Sequence, residues 1–543
     1  MRSRAAGRFP RRTSIATVLL VAASVAPAPG KAAAAGQAHR FEIPVREHVF
    51  DNGLRLLVLE RPGDERVACK IFTDFGGYNE TPGDAGSAHY LEHLMFKGTK
   101  TLGTNDWEAE APLVEDIRQT ERQLTEALNA ARNDTRQRGV FHDYQHAASS
   151  PEIDELRAEL VRLNADAAEF RDGGAMMRWY QAYGGTGLTA TTEQEYMKFD
   201  INLPVARIDL FLRVEADRMV NSIFREFDQE RMILVEQRLG DLNQPTTPYA
   251  EQMTAASGMM HPIYWPEGFY PTDFQQYTRH YQRDLYERYF VVNNTTLVFV
   301  GGVSLEEMIP KVEHYFGWME TAPEPMRVKA IEPVPAAERR LVYRSDELEP
   351  RVEVRYMIPA VGHPDRPHFD VLAELASTAI GTALETAGVE GRVNVNTRVV
   401  HTSRFGVPST MNFEVIVNHQ DDLAAAESAL HAALNALAAG ISRTRGAAEA
   451  TGAGAAQATA PDRIALAKKK LRTEWYRTAA SADALAFEIG HFQTMDRWQT
   501  LEEFLNAREA TTAQDIARLA ERYFIPENRT VGVVIAADDG GRQ

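Results

Sequence analysis

The chain has 543 residues, too many for one ordinary domain, and its 44% apolar and 25% charged residues suit a soluble globular protein with a real core. Its formal charge is −17. Without a leader that carries six cations and no acid the charge becomes about −23, which argues against nucleic acid or an anionic membrane as a partner.

Residues 1–35 read as a signal peptide. A basic stretch, "MRSRAAGRFPRRTS", precedes the apolar "IATVLLVAASVA" and the small-residue "PAPGKAAAAG". The apolar run is too short to span a bilayer comfortably. The Arg11-Arg12 pair hints at twin-arginine export, and no cysteine follows that would carry a lipid anchor. The expectation is a periplasmic or secreted protein with no membrane span once the leader is removed. "NGLRLLVLERPGDERVACKIFTDFGG", from residue 52, reads as strands; Cys69, the only cysteine, falls there and is expected to be a buried, inert thiol.

"GSAHYLEHLMFKGT", residues 86–99, places His89 and His93 four apart with Glu92 beside the second. In a helix both imidazoles face one way and can bind one zinc ion at about 2.0–2.1 Å. Glu92 can then take a proton from water and pass it to a leaving amine, as peptide hydrolysis requires. The second half of the chain has no such motif, so one zinc ion per chain is expected.

From Trp107 to about Ala175 the sequence turns charged and helical. Leu113, Ile117, Leu124 and Leu128, then Ile153, Leu156, Leu160 and Leu163, form apolar stripes that predict an antiparallel helical hairpin. His142 and His146 in its turn lack a neighbouring glutamate and read as surface residues. Further on, "RYFVVNNTTLVFVGG" from Arg288 and "RYFIPENRTVGVVIA" from Arg522 end alike, in a helix, a turn with Asn and a strand. This predicts a duplicated α+β fold. The first domain covers 40–320 with an insertion at 105–180, the proline-spaced 321–338 is the linker, and the second domain covers 339–540. The Ala/Gly-rich 444–462 reads as a surface loop.

Between a strand and a helix, "FGGYNETPGDAGSAHYLEHLMFKGT" resembles the insulinase/pitrilysin family of inverted zinc metallopeptidases. "FDNGLRLLVLERP", "GGTGLTATTEQEYMKF" and "YFVVNNTTLVFVGGVSLEEM" resemble other segments of that family, so that the likeness covers nearly all of 45–535. The resemblance implies two domains of like fold, each a mostly antiparallel sheet with helices on one side. It also implies a chamber between them for oligopeptides or unfolded segments, and pairing with a second chain as a homodimer or heterodimer. Peptide would add to the sheet edge near "GGTGLTATT", where Thr189 replaces the usual asparagine. It further implies a third metal ligand within "ERMILVEQR", residues 230–238, and a supporting role for Glu230. Counting from Glu230 without a gap puts Gln237 at the ligand position, whereas anchoring on Pro245 puts Glu236 there. Carboxylate is the reasonable donor for zinc, which assigns the role to Glu236. The family's arginine-tyrosine substrate pair has no evident counterpart; Arg392 and Arg398 are the nearest candidates. The competing expectation is a non-catalytic member that completes the chamber of an active partner.

Overall fold

The computed structural model describes residues 39–81, 83–137, 150–265, 271–274, 277–327, 330–396, 409–443 and 460–537. The leader, His142, His146, Arg398 and residues 444–459 lie outside that set. Among the described residues no helix is long and apolar enough to cross a membrane.

Two mixed sheets organise the chain from Arg40 onward. The first contains β1 (Arg46–Val49), β2 (Arg55–Glu60), β3 (Arg66–Thr73), β4 (Thr186–Thr192), β5 (Met197–Pro204) and β6 (Thr295–Gly301), in the order β1-β2-β6-β3-β5-β4. The second contains β7 (Arg339–Arg344), β8 (Arg351–Ile358), β9 (Gly391–Asn396), β10 (Ser409–Val417) and β11 (Arg529–Ile535), in the order β7-β11-β8-β10-β9. Leaving β1 aside, the two orders are the same. In each sheet the opening strand pairs parallel with the closing strand and every other pairing is antiparallel.

The helices of the first half are α1 (Ser87–Met95), α2 (Trp107–Gln137), α3 (Pro151–Ala168), α4 (Ala175–Ala182), α5 (Ile208–Asn221), α6 (Phe227–Leu242), α7 (Thr246–Ser257), the single turn α8 (Pro271–Phe274), α9 (Arg279–Tyr289) and α10 (Leu305–Phe316). The second half has α11 (His368–Ala387), α12 (Leu423–Arg443), α13 (Ala460–Ala480), α14 (Ala482–Met495), α15 (Gln499–Ala510) and α16 (Ala513–Tyr523). As the apolar stripes predict, α2 and α3 pack together with Ile117, Ile153 and Leu163 buried.

The repeated endings are equivalent in detail. In the first, α9 ends at Tyr289 and Asn294 Nδ2 donates to the Tyr289 carbonyl at 2.9 Å before β6 begins. In the second, α16 ends at Tyr523 and Asn528 Nδ2 donates to the Tyr523 carbonyl at 2.8 Å before β11 begins. An asparagine amide thus closes the last turn of each helix and aims the chain into its central strand.

Each sheet carries the helices of its own half on one face. Leu56, Val58, Val67, Cys69, Leu297 and Phe299 share a core with Phe211 and Leu212 of α5 and Met308 and Val312 of α10. Burial holds the Cys69 thiol well above its ordinary pKa, in keeping with an inert side chain. The other face is covered by a helix from the opposite half. Leu57, Leu59, Phe72, Val298 and Val300 meet Leu485, Ala486, Ile489 and Phe492 of α14. In return Tyr249 and Met253 of α7 cover Leu341, Tyr343 and Val534 of the second sheet. β6, central in its sheet and covered on both faces, is buried along all seven residues, whereas β7, at the edge of the second sheet, alternates between exposed and half-buried. Lys70 of β3, buried among these apolar side chains, donates to Asp200 and to Asp483 of α14, each at 2.9 Å.

Both exchanged helices lie close enough to require glycine. A β-carbon on Gly490 of α14 would come within 2.0 Å of Phe72 Cε2, and one on Gly532 of β11 within 2.3 Å of Met253 Sδ. Gly490→Ala is therefore expected to lower stability by about 1–3 kcal/mol despite alanine's better helix propensity. Gly381→Ala in α11, where a β-carbon meets nothing within 4 Å, is expected to gain up to about 1 kcal/mol. Denaturant melts of the two variants check the pair, and equal shifts would contradict the packing argument.

Candidate metal centre

Helix α1 is almost wholly internal. Seven of its nine residues are buried, and only His89 and His93 are half-exposed. Gly86 precedes it at φ 90°, a backbone shape that favours glycine. The Glu80 carboxylate caps the helix instead, accepting from the amides of Gly86 and Ala88 at 2.8 Å each.

The two imidazoles stand edge to face with ring centroids 4.9 Å apart. Burial, assisted by neighbouring His93, lowers the His89 pKa to about 4, so this ring is neutral and able to donate a lone pair. His93 Nδ1 lies 2.8 Å from Glu230 Oε2. Burial alone would raise the Glu230 pKa, but the bonds from His93 and Lys97 outweigh it and the carboxylate is held below its ordinary range. An ionised Glu230 places the proton on Nδ1 and leaves Nε2 of His93 as the donor. Lys97 Nζ contacts Glu230 at 2.6 Å and Glu226 at 3.1 Å, and Glu226 also meets Arg171 at 2.9 Å. Glu226, at the start of α6, is the one non-glycine residue with positive φ (57°) among the described residues.

Glu92 is 8% exposed, and its Oε2 accepts from Thr192 Oγ1 at 2.6 Å. Burial raises its pKa from the ordinary value despite that bond, which suits a base that must work near neutral pH. Thr192 ends β4, the edge strand of the first sheet, whose Thr186, Gly187 and Thr189 are exposed. Past Thr192, Glu193, Glu195 and Tyr196 line a cavity of about 1020 Å³, whose remaining walls come from the second half, including α11, β9, α13, α14 and α15.

Of the residues expected from sequence, His89, Glu92, His93 and Glu230 come together. Glu236 does not join them. Glu236, like Gln237, is exposed on α6, whose inward side carries Phe227, Glu230, Leu234 and Arg238. The helix runs unbroken from Phe227 to Leu242, so the phase of each residue relative to Glu230 follows from its spacing. Seven residues bring Gln237 to within about 20° of Glu230 around the axis, whereas Glu236 falls about 120° away. Among the described residues no three His, Cys, Asp or Glu side chains form a metal-holding group. The two imidazoles are of a kind that fits zinc, and the side of α6 that carries Glu230 carries the Gln237 amide two turns on. Arg392 bonds Glu349 on the surface. Lys97 and Thr192 were not anticipated; Lys97 is legible in retrospect, since 89, 93 and 97 form one i, i+4 stripe.

The family model described as Insulinase (Peptidase family M16) matches residues 55–113, and that described as Peptidase M16 inactive domain matches 278–385. An uncharacterized zinc protease of Rickettsia bellii is 46% identical over 50 residues, covering 9% of this chain and 12% of the relative. Zinc protease PqqE of Helicobacter pylori is 22% identical over 360 residues, 64% of each chain. Neither match reaches two thirds of the relative's length. A crystal structure of a protease from Helicobacter pylori superposes with TM-score 0.68 at 18% identity, covering 91% of this chain and all of that one. The periplasmic protease PqqL from Escherichia coli gives 0.60 at 13% identity, covering 92% of this chain and 48% of that one. At such identities the superpositions speak for the fold.

Proposed function

Because the chain belongs to the insulinase/pitrilysin-like family, peptidase family M16, we propose that it is an exported zinc-dependent endopeptidase acting on oligopeptides or unfolded polypeptide segments. One observation carries the reading: a nearly buried helix leaves only two imidazoles partly open, with an acid of raised pKa between them in sequence. His89 and His93 would hold the ion, Glu230 would fix the tautomer of His93, and the third donor would come from the Gln237 face of α6. When bound, zinc acts as a Lewis acid on a carbonyl and makes water more acidic. Glu92 takes the proton from the attacking water on the oxygen that Thr192 leaves free, then delivers it to the departing amine. The open edge of β4 offers main-chain groups to an extended peptide, which any sequence can pair with, so that access selects more than side chains do. The cavity beginning at Glu193 supports a chamber between the halves, and a second related chain would close it. Relatives named as zinc proteases and the periplasmic PqqL likeness support the metal and the compartment.

The missing third carboxylate favours a second reading, a non-catalytic member that binds peptide for an active partner. Cleavage of a quenched peptide separates the two. The endopeptidase reading expects hydrolysis that a chelator abolishes and added zinc restores. Zinc-loaded protein with no hydrolysis, but with saturable peptide binding, would select the second.

A further inference from the structure

The helical insertion and the first half enclose a second cavity, of about 560 Å³, lined by neither His89, Glu92 nor His93. Its walls come from α2, α3, the start of α6 and the start of α9. Eight arginines line it against four carboxylates, in a chain whose formal charge is −17. The cations are therefore concentrated against the trend of the whole molecule.

Each of the four carboxylates is already taken. Glu110 pairs with Arg225 at 2.6 Å, Glu121 with Arg279 at 3.0 Å, Glu226 with Arg171 at 2.9 Å and Asp228 with Arg231 at 3.4 Å. The other arginines are left with little. Arg283 has no carboxylate within ion-pair distance among the described residues; it donates to the Ser222 carbonyl at 2.8 Å and lies 4.3 Å from the Phe224 ring centroid. Arg118 and Arg122 share Glu115 at 3.4 and 3.5 Å. Arg279, although paired with Glu121 through Nε, is only 9% exposed and keeps an Nη2 with no hydrogen-bond partner. A buried guanidinium N–H without an acceptor costs stability, and an entering anion would satisfy it. Burial lowers the Arg283 pKa from its ordinary value, with Arg118 and Arg279 pushing the same way. Ile117, Leu160 and Phe224 supply apolar surface in the same cavity.

We propose that this cavity binds a small organic polyanion, a phosphate- or carboxylate-bearing molecule whose apolar body rests on Ile117, Leu160 and Phe224 while Arg118, Arg279 and Arg283 hold its charge. The volume lies in the range of small-molecule sites. Guanidinium forks match both head groups in bidentate fashion. No step of peptide hydrolysis enters this reading, so it stands or falls apart from the metal centre.

Titration calorimetry on the whole chain tests it with three probes: 1-naphthyl phosphate, naphthalene dicarboxylate and inorganic phosphate. At least one aryl anion should bind one to one, more tightly than inorganic phosphate and more weakly as salt rises. Arg283→Gln, and separately Arg118→Gln with Arg122→Gln, should each weaken binding by about 10-fold or more. The second variant alters two exposed side chains and should melt as the wild type does. Preference for the phosphate or for the dicarboxylate supports the site and identifies the head group. No saturable binding of any probe at low salt, or binding indifferent to both variants, would overturn it.

Discussion

Gln237→Glu is expected to tighten zinc binding by about 10- to 100-fold, while Glu236→Ala leaves it unchanged. The reason lies in the unbroken helix from Phe227 to Leu242, which puts residue 237 on the side of Glu230 and turns residue 236 away. Glu230 already meets the proton-bearing nitrogen of His93 from that side. An amide oxygen is neutral, whereas a carboxylate brings a full charge to a dication and is the common oxygen donor for zinc. The exchange is nearly isosteric at an exposed position, so folding should not be at issue. Competition against a chromophoric chelator at fixed pH measures the effect. Loss of zinc on Glu236→Ala, with no gain on Gln237→Glu, would restore Glu236 as the ligand.

Glu92→Gln should reduce peptide hydrolysis by about 10²- to 10⁴-fold, with zinc content and thermal melting unaltered. Glutamine keeps the shape of the side chain and an oxygen to accept the Thr192 hydroxyl, so the packing under α1 survives. What disappears is the ability to take a proton. The comparison belongs in both the wild type and the Gln237→Glu background, because tighter metal binding raises the activity against which the loss is read. A variant that still cleaves at the wild-type rate would remove Glu92 from the chemistry and with it the peptidase assignment.

The two-fold repetition of the fold was visible in sequence because it is written locally. The endings from Arg288 and Arg522 share a helix terminus, an asparagine and a strand, and the same amide-to-carbonyl bond closes both. The pair His89 and His93 was equally legible, since four residues make one helical turn. The third ligand was not. Anchoring on Glu230 and anchoring on Pro245 lead to alignments one residue apart, and only a continuous helix tells which residue keeps phase with Glu230. Helix exchange was hidden for another reason. The fully apolar run in β6 says that both faces are covered, but not that the cover on one face is a helix near residue 490. Lys97 and Thr192 escaped because their roles depend on partners far away in the chain, Glu230 and Glu92.

Phe72, Val298 and Val300 wait for a cover encoded almost two hundred residues after β6, in a helix that ends at Met495. During synthesis the first sheet therefore has a greasy back until most of the polypeptide has emerged. A truncated product that stops before Ala482 would retain both imidazoles yet present that bare surface to its neighbours, a liability for clumping. A nick at the 321–338 connection after folding should do the opposite, leaving two fragments clasped by the helices each has lent the other.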